Sequence, residues 1–520
     1  MKFIPIIKKG WLFILGAIAI ISLFSFLRFY ALTNLPIFVD EAIYIRWAQV
    51  MKTESTLRFL PLSDGKQPLY MWLVIPFMKF ISDPLLAGRI VSVFSGLGTM
   101  IGIGMVSWYL FKSKKVVLIT TLLWALSPYS VFFDKMALVD SLLTFFGIWT
   151  FYFAILTVNT IRLDFAMITG FFLGGALLTK SPALFFTILL PTTFLLIKWP
   201  KTIKEKIRKL FRLVVIFIPT LIIGYGLYNI LRLGPNFHMI GLRNYDYVFP
   251  LSHLWLNPKD PFIFLVPKFF DWIWKMGPFT VLILGLLGIV VNLKKNFNKS
   301  VALLLWFIFP VLIQTMFAKV FTARYVYFCL PFLFLLAGSV FLVKNKFIEL
   351  FSFILLVLGL VITLRFNYFL LTNIYKANLP RSERSGYLEE WSAGQGIKEV
   401  ADYIEKLYLE DPKQIVVGTE GYFGTLPDGL QQYLNKYSEI IVIGVGLNFE
   451  KLSPSLLESY QYGNKTFFVA NDSRFRSAPS IFGLSKIAEY PKAIKPDGTY
   501  ESLLLLEVTA DTTSSPKKFK

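Results

Sequence analysis

Two adjacent carboxylates, Asp40 and Glu41, stand in the stretch Val39-Asp40-Glu41-Ala42-Ile43-Tyr44, just after an apolar segment, Trp11 to Ala31, long enough to cross a bilayer. Acids at a membrane–water boundary suit proton transfer on a substrate held in lipid. Lys66 follows in Lys66-Gln67-Pro68-Leu69-Tyr70, where Pro68 fits the first turn of a helix and a fixed ammonium can neutralise a lipid phosphate. Asp140 lies about one turn inside an apolar run (MALVDSLLTFF), a costly place for an ionisable group and therefore a functional candidate; its structural alternative is helix capping or pairing with Lys135. Arg89, Lys180 and Arg324 add cations at the ends of further apolar segments. Taken one at a time these residues have plain readings, an acid pair that is merely solvated or a lysine that snorkels. Their common placement is what carries the argument.

The elements that must position them belong to a membrane. A chain of 520 residues that is 55% hydrophobic, 17% aromatic and only 16% charged cannot be wrapped into one soluble core. The net charge of +21 resides in short loops between apolar runs, the pattern of cytoplasmic loops, and no nucleic-acid-binding motif accompanies it. Cys329, the single cysteine, excludes an internal disulfide and a cysteine-based zinc site, and His238 and His253 are too few for a histidine-rich metal centre. The first apolar run is longer than a signal-peptide core and has no small-residue cleavage site after it, so it reads as a retained helix.

Nine clear spans are expected at Trp11–Ala31, Leu86–Leu110, Val116–Phe133, Leu138–Val158, Phe211–Leu231, Gly277–Leu293, Val301–Ala318, Tyr325–Val343 and Phe347–Phe366. Pro68–Ile81 is too short to span comfortably, and Phe165–Thr179 and Ser181–Ile197 are divided only by Lys180. The basic loops at Lys112/Lys114/Lys115, Lys198–Arg212, Lys294/Lys295/Lys299 and Lys344/Lys346 all face the cytoplasm, with the N-terminus, only if Pro68–Ile81 lies in the interface and the pair around Lys180 makes two spans. The fold expected is thus a polytopic α-helical membrane protein with about 11 transmembrane helices plus interfacial helices. Five loops then share the outer face: Leu32–Leu85, Asp134–Ala137, the Lys180 turn, Arg232–Met276 and Lys319–Arg324. In the first of them, Ile43, Trp47 and Val50 recur at helical spacing, as expected of a helix lying in the interface.

Composition changes near Asn373, which divides the chain into a transmembrane domain (1–372), an extracytoplasmic α/β domain (373–513) and a disordered tail (514–520). In the α/β domain Ile397–Leu409 reads as an amphipathic helix and Gln414–Gly418 and Thr466–Ala470 as strands. The glycines of Gly418-Thr419-Glu420-Gly421-Tyr422-Phe423-Gly424 do not fit a nucleotide fingerprint and read as a tight turn.

The membrane part, roughly Trp11 to Tyr368, resembles the bacterial polyprenyl-phosphate-sugar-dependent glycosyltransferases of the C-type fold, the group of the aminoarabinose transferases and protein O-mannosyltransferases. The resemblance is carried by Asp40-Glu41 in the first outer loop, Lys66-Gln67-Pro68-Leu69, Gly88-Arg89, Asp140, the turn Leu178-Thr179-Lys180-Ser181-Pro182, and Arg324-Tyr325 ahead of Pro331. Gln67 and Ser181 depart from the family's proline and glycine. The resemblance implies transfer of a sugar from a polyprenyl phosphate to a hydroxyl of an acceptor protein or glycolipid at the outer membrane face. Asp40 is then the general base. Lys66, helped by Arg89, Lys180 and Arg324, holds the donor phosphate. Glu41 and Asp140 orient sugar or acceptor, or hold a divalent metal ion. Attack assisted by one base predicts inversion at the anomeric carbon.

A lipid or sugar transporter is the competing class. It calls for charges midway through several helices and for internal symmetry, whereas here the charges sit at helix ends and no repeat is visible. A non-catalytic membrane scaffold is the third.

Overall fold

The computed structural model describes residues 4–293, 296–447, 449 and 451–509. The tail expected at 514–520 lies outside them, as do Lys294 and Lys295 of one basic loop. The chain forms two compact units, one of residues 1–32, 54–73 and 89–380, the other of residues 33–53, 74–88 and 381–520.

The first unit is helical. Among the described residues seven helices are long and apolar enough to cross a membrane, or up to nine if each of two bent pairs is one span. The bends have local causes. Lys114–Leu126 and Pro128–Asp134 turn by 58° where Pro128 opens the second piece, and Phe262–Met276 and Phe279–Asn292 turn by 103° at Gly277-Pro278. Leu163–Thr179 and Ser181–Leu196 are shorter apolar helices, and the expected count of about 11 is reached only if each of them also crosses. Lys180 between them is extended (φ −163°, ψ 145°), and Pro182 starts the next turn.

One stretch expected as an outer loop, Arg232–Met276, contains helices at Met239–Tyr247, His253–Leu256 and Phe262–Met276. The last is amphipathic: Leu265, Phe269, Trp272, Ile273 and Met276 are buried, while Phe264 and Lys268 are exposed.

The second unit has a five-stranded sheet. After the short pair β1 (Ile37–Phe38) and β2 (Ala393–Gly394) come β3 (Ile415–Thr419), β4 (Ile440–Gly444), β5 (Lys465–Asn471), β6 (Leu484–Pro491) and β7 (Ser502–Val508). Their order is β4-β3-β5-β7-β6, with β4, β3 and β5 parallel and the β5–β7 and β7–β6 pairs antiparallel. The amphipathic helix Ile397–Glu410 buries Ile397, Val400, Ala401 and Ile404. Helix Val39–Thr53 packs on helix Asp428–Leu434: Arg46 donates to Gln431 Oε1 (3.2 Å) and Asn435 Oδ1 (2.6 Å), and Gln49 to the Gln432 carbonyl (2.8 Å). Ile43 and Trp47, the stripe expected to face lipid, are buried in protein. Ala42 and Gly429 permit this, because a side chain in place of Gly429 would already touch Ala42 and Ile397.

Candidate active site

Asp140 sits in the first turn of helix Val139–Thr160 and is buried. Its Oδ1 accepts a 2.6 Å hydrogen bond from Lys180 Nζ across 40 residues, so its partner is Lys180. Lys135 is turned elsewhere, donating to the Tyr30 carbonyl at 2.6 Å, and the pairing with Asp140 considered from the sequence does not form. Asp140 Oδ2 is buried with no hydrogen-bond partner among the described residues. Lys180 Nζ lies 4.3 Å from the centre of the Tyr325 ring, and Arg324 stacks on the same ring at 5.4 Å. Asp140, Lys180, Arg324 and Tyr325 thus form one cluster from three helix ends.

Lys66 joins that neighbourhood through the residue after it. Gln67 Nε2 donates to Ser181 Oγ at 2.9 Å, tying the Lys66 turn to the Lys180 turn. Gln67 and Ser181, the two departures from the family pattern, bond to each other. Gly65 at φ +66° makes the turn; a Cβ there would lie 2.5 Å from Arg243 Cβ and in the left-handed region. Lys66 Nζ pairs with Asp64 at 3.2 Å, and Arg243 approaches the other Asp64 oxygen at 3.4 Å. Arg89 is fully buried and donates to the Leu32 carbonyl at 2.8 Å.

Asp40 and Glu41 belong to the second unit, in the first turn of helix Val39–Thr53. Glu41 is buried, and its Oε2 accepts from the Phe38 backbone N–H at 3.0 Å, the reach-back half of a capping box. Val39 N donates to the Ser392 carbonyl at 3.0 Å, which fixes the helix start to β2. Asp40 is half-buried at the second position of this anchored turn. Glu41 thus helps to hold the turn that presents Asp40.

A metal fits the suggested pair poorly. Lys180 already neutralises Asp140, Glu41 caps its helix, and among the described residues no three His, Cys, Asp or Glu side chains gather as ligands.

Sequence reasoning missed a second acid. Asp134 is fully buried and accepts from Arg28 Nε (3.1 Å), Tyr327 Oη (2.8 Å) and Ser141 Oγ (2.9 Å), while Arg28 also donates to Ser130 Oγ and the Ala125 carbonyl. Gly96 makes the room, since a Cβ there would lie 2.3 Å from the Asp134 carboxyl. The only sequence signal was a charge at the end of an apolar run.

Residues 65–223 match the model of the family described as dolichyl-phosphate-mannose-protein mannosyltransferase. Lys66, Arg89, Asp140 and Lys180 lie within that match; Asp40, Glu41 and Arg324 lie outside it. No curated protein matches the chain by sequence. The crystal structure of ArnT from Cupriavidus metallidurans in the apo state is similar with a TM-score of 0.57 at 13% identity, covering 96% of this chain and 98% of that one. The structure of that ArnT bound to undecaprenyl phosphate gives 0.57 at 12% identity, with 98% and 100% covered. The fold is shared along nearly the whole length. Residues 65–223 are thus similar to a mannosyltransferase family, and the chain as a whole shares its fold with ArnT.

Proposed function

We propose that the protein moves a sugar from a polyprenyl phosphate to a hydroxyl of an acceptor protein or glycolipid at the outer face of the cell membrane, with inversion. The observation that carries the reading is the cluster of Lys180, Asp140, Arg324 and Tyr325, tied to the Lys66 turn by the Gln67–Ser181 bond. With Lys66 the cluster offers three cations that suit a phosphate whose charge grows as the glycosidic bond breaks. Asp140 holds Lys180 in place until the donor arrives. Asp40 removes the acceptor proton during attack, and the single base favours inversion. Arg89, buried beside Leu32, positions backbone instead of touching phosphate. In this reading about 11 helices cross, the N-terminus is cytoplasmic, and residues 373–513 stand outside the membrane.

Purified protein incubated with a panel of polyprenyl-phosphate sugars and a membrane extract should glycosylate an extract component, and Asp40→Asn should not. Release of polyprenyl phosphate without any glycosylated product would refute acceptor transfer. A cysteine placed at Lys204 should be shielded from an impermeant thiol reagent in intact cells while one at Asn435 is labelled; the reverse pattern would overturn the orientation.

A further inference from the structure

The carboxyl ends of β3 and β5 form a second polar site, in the unit that carries Asp40. The chain leaves β3 for β4 on one side and then returns to β5 on the other, so the strand order reverses there, the place where open α/β sheets accept ligands. Glu420 follows β3 and Asn471 ends β5. Glu420 accepts from the Asn471 backbone at Oε2 (2.7 Å) and from its side-chain amide at Oε1 (2.8 Å), and Arg474 Nε lies 3.4 Å from the same Oε1. Asn471 is only 2% exposed, yet its Oδ1 has no hydrogen-bond partner among the described residues. A buried acceptor without a donor costs free energy and marks a place built for one.

An apolar wall adjoins this polar floor. Arg474 lies 6.0 Å from the Trp391 ring, and the Trp391 ring and Val39 both border the space beside Gly424. Trp391 is 46% exposed, and Phe423, tilted against Trp47 with ring centres 5.6 Å apart, is as open. Three cations (Arg474, Lys492, Lys495) face four carboxylates (Glu390, Glu420, Asp472, Glu501), a balance that disfavours an anion. Exposed aromatic faces beside a carboxamide oxygen that lacks a donor among the described residues match a ligand with an apolar ring face and a rim of hydroxyls.

We infer that the crevice formed by Trp391, Phe423, Glu420, Asn471 and Arg474 binds a neutral or amino-bearing sugar ring of the acceptor and delivers its hydroxyl toward Asp40. The inference rests on the transferase reading and adds the acceptor's chemical class, a saccharide. Val39, whose side chain borders Gly424, immediately precedes Asp40, so the sugar would lie next to the base.

Binding can be read without turnover. Saturation-transfer NMR of detergent-solubilised full-length protein with a mixture of methyl pyranosides, including a methyl aminoglycoside, should show transfer to ring protons of at least one member. Trp391→Ala should cut that signal at least about fivefold, through loss of the stacking face, and Asn471→Asp should weaken it. Binding of undecaprenyl phosphate should persist in both variants, which separates loss of this subsite from failure of the donor reading. No transfer with the wild type, or transfer unchanged in both variants, would overturn the proposal. A bimane label on Tyr422→Cys that is quenched by doxyl lipid in vesicles would also overturn it, assigning the aromatic surface to the bilayer instead.

Discussion

Two ion pairs in the helical unit look alike in sequence and differ in construction. Asp134 and Arg28 are both fully buried, and each carboxylate oxygen of Asp134 is taken, one by Arg28 and the other by Tyr327 and Ser141. Asp140 and Lys180 are paired at 2.6 Å, but Asp140 keeps one oxygen without a partner among the described residues and the Lys180 side chain is 20% exposed. A sealed pair has no capacity left for a substrate. An open pair next to Tyr325 and Arg324 has, and in the proposed function Lys180 exchanges its internal partner for a phosphate. In the proposed function, the completeness of the hydrogen-bonding shell, more than burial, separates the structural acid from the one that serves the donor.

The largest effect should come from breaking the sealed pair. Asp134→Ala strands Arg28 without a counter-charge and should cost about 3–5 kcal/mol, seen as loss of folded protein or a steep drop in thermal midpoint in detergent. Asp140→Ala should leave the midpoint nearly unchanged while lowering transfer. If the two variants lost stability equally, the distinction would collapse.

Asp40→Asn should reduce transfer by roughly 10²-fold or more with the fold intact, because the amide cannot take the proton. Glu41→Gln should be milder, since Gln can still accept from the Phe38 N–H. Equal small losses would assign both acids to surface solvation.

The sheet unit offers a sealed cation for comparison. Burial pushes Lys492 from 10.5 down to about 8, against the opposing pull of Glu501, Glu420, Asp472 and Glu390. Below pH 8 both native and unfolded forms hold the proton, and the native form bears the cost of the buried charge. Between about 8 and 10.5 the unfolded chain binds more protons, so stability of this unit should rise with pH, by at most about 1.4 kcal/mol per pH unit. Hydrogen exchange of β5 amides should slow over that window relative to the intrinsic rate, and Lys492→Met should flatten the dependence. The smallest effect should be that of a chelator: with Lys180 neutralising Asp140 and Glu41 committed to its cap, transfer should be unchanged.

Much of this was legible in the sequence where one residue's surroundings are local. Apolar runs of about twenty residues marked the spans, and Lys180 between two such runs marked a turn. The Ile397–Glu410 helix and strands β3 and β5 followed from periodicity. What stayed hidden depends on partners far along the chain. Arg28 and Asp134 are 106 residues apart, and nothing near either announces the other. β7 (Leu503 to Leu506) is buried on both faces and shows no alternation, so its run of leucines does not declare a strand. Helix Val39–Thr53 carries the pattern of an interfacial helix, and only the small residues at Ala42 and Gly429 reveal that protein covers it.

In the proposed function the open pair and the Lys66 turn hold the donor phosphate. Titration of purified protein with undecaprenyl phosphate, followed by the ³¹P signal, tests it most directly. Wild-type protein should bind, Lys180→Ala and Lys66→Ala should each weaken binding by about tenfold or more through loss of a phosphate-facing charge, and Lys66→Arg should recover only part of it. Binding that is unchanged in both alanine variants would contradict the account, leaving Lys66 a snorkelling residue and Lys180 a structural partner of Asp140.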